Sequence, residues 1–275
     1  FTITTTELEP DAEFKFYMSA AGTFYVDCGV DGVLDGTSAS NKTITRSDTT
    51  SAIYTCTYSA GGAKTIRFGG TATGYSTERE AAIRFYTGTL SYGYVGSSTP
   101  VSMISGSLGA IFPTLGTTKN KQPIFKGTFM NAQIQNIPEN LFSGVSGAST
   151  YRFSYTFAGC RYLTSIPGNL FFGLSGAADF MFAYTFYNCI KITSIPENLF
   201  AGIRGAASAM FSDTFGSCAG LTSIPGNLFS GVSGGASRMF AFTFSACTKL
   251  TSIPAGLFSG ITKGANSMFS CTFRY

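Results

Sequence analysis

The chain contains no histidine and no tryptophan, and only 12% of its 275 residues are charged. Without histidine the commonest general base and metal ligand is missing, and no Ser-centred elbow, Walker loop or paired-carboxylate motif takes its place. An enzyme is therefore not expected, and no catalytic residue, cofactor or metal is assigned. Basic residues are as scattered as acidic ones. No window gathers the run of about five that would mark a nucleic-acid or lipid patch, so the net charge of +4 points to no nucleic acid. No apolar stretch approaches the ~18 residues of a membrane span, so membrane insertion is not expected. The first residues, Phe1-Thr2-Ile3-Thr4, already read as a strand, and any signal peptide is expected to have been removed.

What is present is hydrophobic and aromatic. With 44% hydrophobic residues, 27 Phe and 14 Tyr, the chain can bury a large core and has room for two domains. Abundant Gly, Ser and Thr fit stacked turns and a secreted surface better than a helical cytosolic enzyme. The strongest feature is a repeat. Pro138, Pro167, Pro196, Pro225 and Pro254 follow one another at intervals of 29 residues, each preceded by Ile. Within a copy, Phe240, Phe244 and Cys247 have the four-and-three spacing of a helical stripe, repeated by Phe153, Phe157, Cys160 and by Phe211, Phe215, Cys218. The following Leu250-Thr251-Ser252-Ile253 reads as a short strand stopped by Pro254. Each unit is then expected to be helix, strand and turn, stable only when stacked on its neighbours. Residues 103–129 look like a degraded cap copy, with Leu108, Ile111 and Phe112 in place of the strand and turn and Phe125 and Phe129 keeping the helical spacing.

The pattern Phe-x3-Phe-x2-Cys-x2-Leu-x2-Ile-Pro-x2-Leu-Phe resembles the BspA-type leucine-rich repeats of surface proteins from gut and oral bacteria. The copies are longer than the family's usual repeat, with the excess in the Gly-Ser-Ala stretch. The fold class implied is α+β: an antiparallel β-sandwich over residues 1–95, then a leucine-rich-repeat-like solenoid over 96–275, with its cap at 103–129 and regular repeats from 130. The family resemblance implies a secreted or cell-surface adhesion protein with a protein or glycan ligand on a host or neighbouring cell. A stalk, fibre or phage appendage, or a carbohydrate-binding accessory module, are the alternatives.

In the N-terminal part, residues 14–18, 23–26, 52–55 and 64–68 alternate apolar and polar side chains between Gly, Asp and Ser clusters, as strands of a sandwich do. The segment from Gly22 through Asp31-Gly32, followed by Tyr54-Thr55-Cys56-Thr57-Tyr58, resembles a PKD-like domain. It departs from that family in carrying Cys28 where a Trp is usual, with Val30 inserted before the turn. The resemblance places Cys28 and Cys56 on neighbouring strands, which suggests a disulfide, with two buried thiols as the alternative.

Cys160, Cys189, Cys218 and Cys247 recur with the repeat and are expected as small core residues, whereas Cys271 falls in a column of mixed polarity with Tyr155, Tyr184, Asp213 and Phe242. Asp27, Asp31 and Asp35 at intervals of four could hold calcium, but acidic residues in a β-turn are more often simply turn formers, and no metal is assigned to them. Asn41-Lys42-Thr43 is a glycosylation sequon only in a eukaryotic host. The positions that vary just before each expected strand, Arg161, Tyr162, Lys191 and Lys249, form the candidate binding surface. Tyr162, Tyr184 and Tyr187 are the tyrosines that could offer a sugar-binding platform.

Overall fold

A computed structural model describes residues 1–88 and 98–275. Its regular secondary structure is two antiparallel sheets near the N-terminus. The first contains β1 (Thr2–Thr5), β3 (Ala20–Asp27), β5 (Ala39–Ser40), β6 (Thr43–Arg46), β8 (Thr65–Tyr75) and β10 (Val101–Ser105), in the order β10-β1-β8-β3-β6-β5. The second contains β2 (Glu13–Met18), β4 (Gly32–Gly36), β7 (Ala52–Tyr58) and β9 (Ile83–Arg84), in the order β4-β7-β2-β9. Period-two alternation builds both sheets. Phe14, Phe16 and Met18 of β2 and Tyr54, Cys56 and Tyr58 of β7 face inward, against Phe24 and Val26 of β3 and Ile66 and Phe68 of β8. Gly70 of β8 lies opposite Phe24 with φ +97, where a Cβ would run into the carbonyl oxygen of Thr23. Cys28, just past β3, is bonded to Cys56 of β7 with a Cα–Cα distance of 5.7 Å, tying one sheet to the other. Closing that loop removes about 3–4 kcal/mol of chain entropy from the unfolded state.

The expected α+β chain with a leucine-rich-repeat solenoid is overturned. There is no α-helix among the described residues, and the only helical element is the 3-10 turn Lys119–Lys121. The segment 250–253 and its counterparts are not strands either. Only single backbone bonds link them, such as Thr164 N–H to Gln135 O (3.1 Å) and Thr222 N–H to Thr193 O (3.0 Å).

What replaces the helices is a run of consecutive turns. In residues 151–160, alternate amides close turns within the copy, as Ser154 N–H does on Tyr151 O (3.1 Å) and Thr156 N–H on Phe153 O (3.1 Å). The amides between them point to the next copy, as Phe153 N–H does to Met181 O (2.9 Å) and Tyr155 N–H to Ala183 O (3.0 Å). Every fourth residue takes a left-handed backbone: Tyr151 (φ 60), Tyr155 (φ 58) and Gly159 (φ 73), and likewise Phe180, Tyr184 and Asn188. A left-handed residue at that interval cannot occur in an α-helix, yet it preserves the four-and-three spacing of buried side chains. Half of the amides thereby leave their own copy, and the copies become layers bonded to one another.

Aromatic columns run through the layers. Phe125, Phe153, Phe182, Phe211, Phe240 and Phe269 stack with centroids 5.4 to 5.9 Å apart. Phe129, Phe157, Phe186, Phe215, Phe244 and Phe273 stack at 5.5 to 5.6 Å. A third column, Phe142, Phe171, Phe200, Phe229 and Phe258, wedges against the first at 4.7 to 5.0 Å. Beside them stand the wholly buried threonines Thr156, Thr185, Thr214 and Thr243. The hydroxyls of Thr156, Thr185 and Thr214 each lie within bonding distance of two carbonyls, one in their own layer and one in the layer before, as Thr214 does with Phe211 O (2.8 Å) and Phe182 O (2.9 Å), and that of Thr243 reaches Phe211 O of the layer before (2.9 Å).

The sheets and the layers share one core. Ala82 N–H and Phe85 N–H, flanking β9, donate to Ile124 O (2.8 Å) and Thr128 O (2.9 Å) of the first layer. The expected division between residues 95 and 96 lies outside the described residues. Of the expected cap copy, residues 103–105 belong to β10, whereas Leu108 donates its amide to Leu141 O (2.8 Å) and Phe125 and Phe129 begin the ring columns.

Candidate functional site

The varying positions lie along one edge of the layers, in the short turn that separates the buried cysteine from the open segment leading to the proline. Tyr162, Lys191, Gly220 and Lys249 are one position in successive copies. Arg161, Tyr162, Lys191 and Lys249 are all exposed. The structure brings three of them together: the Lys191 ammonium sits 4.9 Å from the centroid of the Tyr162 ring. Arg161 and Tyr162 border a cleft of 310 Å³ that Asn131, Gln133, Gly159 and Ser98 complete. A cation over an aromatic face contributes about 0.5–1 kcal/mol where exposed. Lys249 stands apart. Gly220 occupies the intervening layer, leaving a gap of about 10 Å at the spacing of stacked backbones, and a Cβ at Gly220 would collide with the carbonyl oxygen of Ile190.

The other tyrosines are less available. Tyr184 lies flat on Tyr155 at 4.6 Å with an interplanar angle of 1°, and Tyr187 abuts Tyr184 edge-on at 5.5 Å. In the next layer Asp213 occupies the same position, half-buried; burial raises its carboxyl to about 6, against the opposing hydrogen bonds from Tyr184 and Ser212. Phe242 and Cys271 continue this column, all five residues having positive φ. That shared backbone explains why the column tolerates any polarity: its side chains point away from the three ring stacks.

The cysteine ladder is core. Cys160, Cys189, Cys218 and Cys247 are buried, and each thiol donates to a carbonyl of the preceding layer at 3.1 to 3.2 Å. Burial pushes all four thiols up, Cys247 to about 11. Cys271 is partly exposed.

The three aspartates are spent on neighbours. Asp27 meets Lys42 at 2.9 Å and Arg67 at 3.7 Å, and accepts the amide of Gly29. Asp31 meets Lys64 at 3.2 Å, and Asp35 accepts the amide of Gly36 at 2.8 Å. Among the described residues no group of three His, Cys, Asp or Glu side chains could hold a metal ion.

A second and more polar cleft, of 460 Å³, was not foreseen from the sequence. It lies where Glu78, Arg79, Glu80, Arg84 and Tyr17 face Lys126 and Tyr151 of the layers. Its residues come from four separated stretches, each unremarkable alone, which the docking of residues 82–85 on the first layer brings together.

Compared with protein-family models, with curated proteins and with solved structures, the chain matches none.

Proposed function

We propose that the protein is a non-catalytic binding protein of the cell exterior, acting as an adhesin, and that the edge carrying Arg161, Tyr162 and Lys191 is its recognition surface. The observation that carries this reading is the convergence of an exposed aromatic ring and two cations beside a 310 Å³ cleft. These side chains vary between copies while the positions beneath them repeat, which is how a rigid scaffold presents a specific surface. Exposed aromatics and arginine are the side chains that most often dominate binding energy. The Cys28–Cys56 disulfide supports an oxidising, extracellular setting. The ligand is expected to be a protein or glycan of a neighbouring cell.

The test is an array of host glycans and extracellular-matrix proteins, probed with the parent chain and with a variant carrying Arg161→Ala, Tyr162→Ala and Lys191→Ala. A specific hit lost in the variant supports the reading. A hit that the variant retains removes this edge as the site. Lys249→Ala, three layers from Tyr162, is expected to weaken the same hit less than Tyr162→Ala does.

A further inference from the structure

The 460 Å³ cleft between the sheets and the first layer is within the size range of small-ligand sites. Three cations converge on it: Arg79, Arg84 and Lys126. None of the three lies within ion-pair distance of a carboxylate among the described residues, although Glu78 and Glu80 line the same cleft. Aromatic rings hold the cations in place instead. Arg84 lies 4.5 Å from the centroid of Tyr17, and Arg79 and Lys126 lie 5.3 and 4.9 Å from that of Tyr151. Tyr151 is itself fixed by stacking on Phe180 at 4.8 Å. Arg84 also donates to Gly88 O at 2.9 Å, and Arg79 is held in a left-handed backbone (φ 64) that its side chain type seldom adopts.

Such an arrangement is costly when empty. Burial lowers the Lys126 ammonium, Glu80 opposes that, and the neighbouring Arg84 and Arg79 lower it further. Burial likewise lowers the Arg84 guanidinium. An anion in the cleft would relieve both effects, because it supplies the charge partner that the fold withholds. The two glutamates narrow the class of anion. A bare inorganic anion would meet them as like charges, whereas a polyhydroxylated acid can give its carboxylate to the cations and donate its hydroxyls to the carboxylates.

We propose that this cleft binds an acidic sugar, its carboxylate held by Arg79, Arg84 and Lys126 and its hydroxyls donated to Glu78 and Glu80. The site is separate from the Tyr162 edge and stands or falls independently of it.

Calorimetric titration of the full chain with trigalacturonate, a glucuronate-containing disaccharide and sialyllactose tests the proposal. Methyl-esterified trigalacturonate, inorganic sulfate and the zwitterion glycylglycine serve as comparisons. At least one acidic sugar is expected to bind, with its affinity reduced about tenfold or more by Lys126→Gln and by Arg79→Gln. The Arg161→Ala, Tyr162→Ala pair should leave it unchanged. Thermal melts of the same samples distinguish loss of the site from loss of the fold, since Lys126→Gln is expected to melt no lower than the parent. Failure of all three acidic sugars overturns the proposal. So does equal binding of the ester, sulfate or glycylglycine, or undiminished binding by both folded variants.

Discussion

Replacing Arg152 by methionine should stabilise this protein, although it removes a fully buried side chain that makes two hydrogen bonds. Arg152 stands in a column otherwise occupied by Met181, Met210, Met239 and Met268. Its guanidinium donates to Ser146 O and Gln122 Oε1, both at 2.6 Å, and its Nε has no partner among the described residues. Both acceptors are neutral, and among the described residues no carboxylate is paired with it. Burial therefore lowers the group to about 10 from 12.5, with Tyr75 acting weakly the other way. At about 1.4 kcal/mol per tenfold change, that lowering corresponds to ~3 kcal/mol of net cost for keeping the charge in the site. Methionine continues the column without that cost, and Ser146 and Gln122 are exposed enough to turn to water. The expected gain is about 1–3 kcal/mol, or roughly 2–8 °C in melting temperature for a chain of this size. Chemical denaturation with coincident fluorescence and circular dichroism transitions measures it. A loss of more than about 1 kcal/mol would show that the two hydrogen bonds are what locks the first layers in place, and the desolvation argument would fail.

Three further outcomes follow from the layers. Asp213 is raised to about 6 in the folded chain from 3.8 when unfolded, so the folded state binds its proton more tightly. Its contribution is fully favourable below pH 3.8 and is lost as pH rises through about 6. Asp213→Asn should flatten that part of the stability–pH curve and gain about 1–3 kcal/mol at pH 7; an unchanged curve would mean the carboxyl is hydrated. Phe211→Ala, in mid-column with Phe182 and Phe240 on its two sides, should cost about 3–5 kcal/mol in denaturant titration, and a cost under about 1.5 kcal/mol would mean the layers close up around the gap. Under non-reducing conditions an alkylating reagent should label Cys271 in the native protein and all five free cysteines once unfolded. Native labelling of Cys189 or Cys218 would contradict the buried ladder.

The sheets were largely legible in the sequence because alternation has only one structural meaning when it is bounded by turn residues. The alternation of residues 14–18, 23–26, 52–55 and 64–68 predicts strands, and these segments lie in or against β2, β3, β7 and β8. The repeat was legible as a period but not as a conformation. Phe153, Phe157 and Cys160 come to one side in an α-helix and equally in a coil whose every fourth residue is left-handed, so the spacing of apolar residues could not separate the two. The discriminating signals were polar. A threonine stands immediately before the second phenylalanine in every copy, at Thr156, Thr185, Thr214, Thr243 and Thr272. In a helix such a residue would have only the carbonyls of its own turn to bond, whereas here each hydroxyl also reaches a carbonyl of the layer before. The Gly, Asn, Ser and Ala at positions 159, 188, 217 and 246 mark the left-handed step that ends each run.

The candidate sites divide along the same line. The Tyr162 edge was legible because variation against a repeating background can be seen in one sequence. The Arg79, Arg84 and Lys126 cleft was not, since its members become neighbours only when the amides of Ala82 and Phe85 dock on the first layer. This dependence has a consequence for any binding there. Arg79 and Arg84 belong to the sheet side and Lys126 and Tyr151 to the layers, so a ligand that bridges the three cations adds a crosslink between the two parts of the core. Binding energy at that cleft would then be felt as stability of the whole chain, through the excess of ligand over its dissociation constant, whereas occupancy of the Tyr162 edge, which lies mostly on the layers, would add little to the joint between sheets and layers.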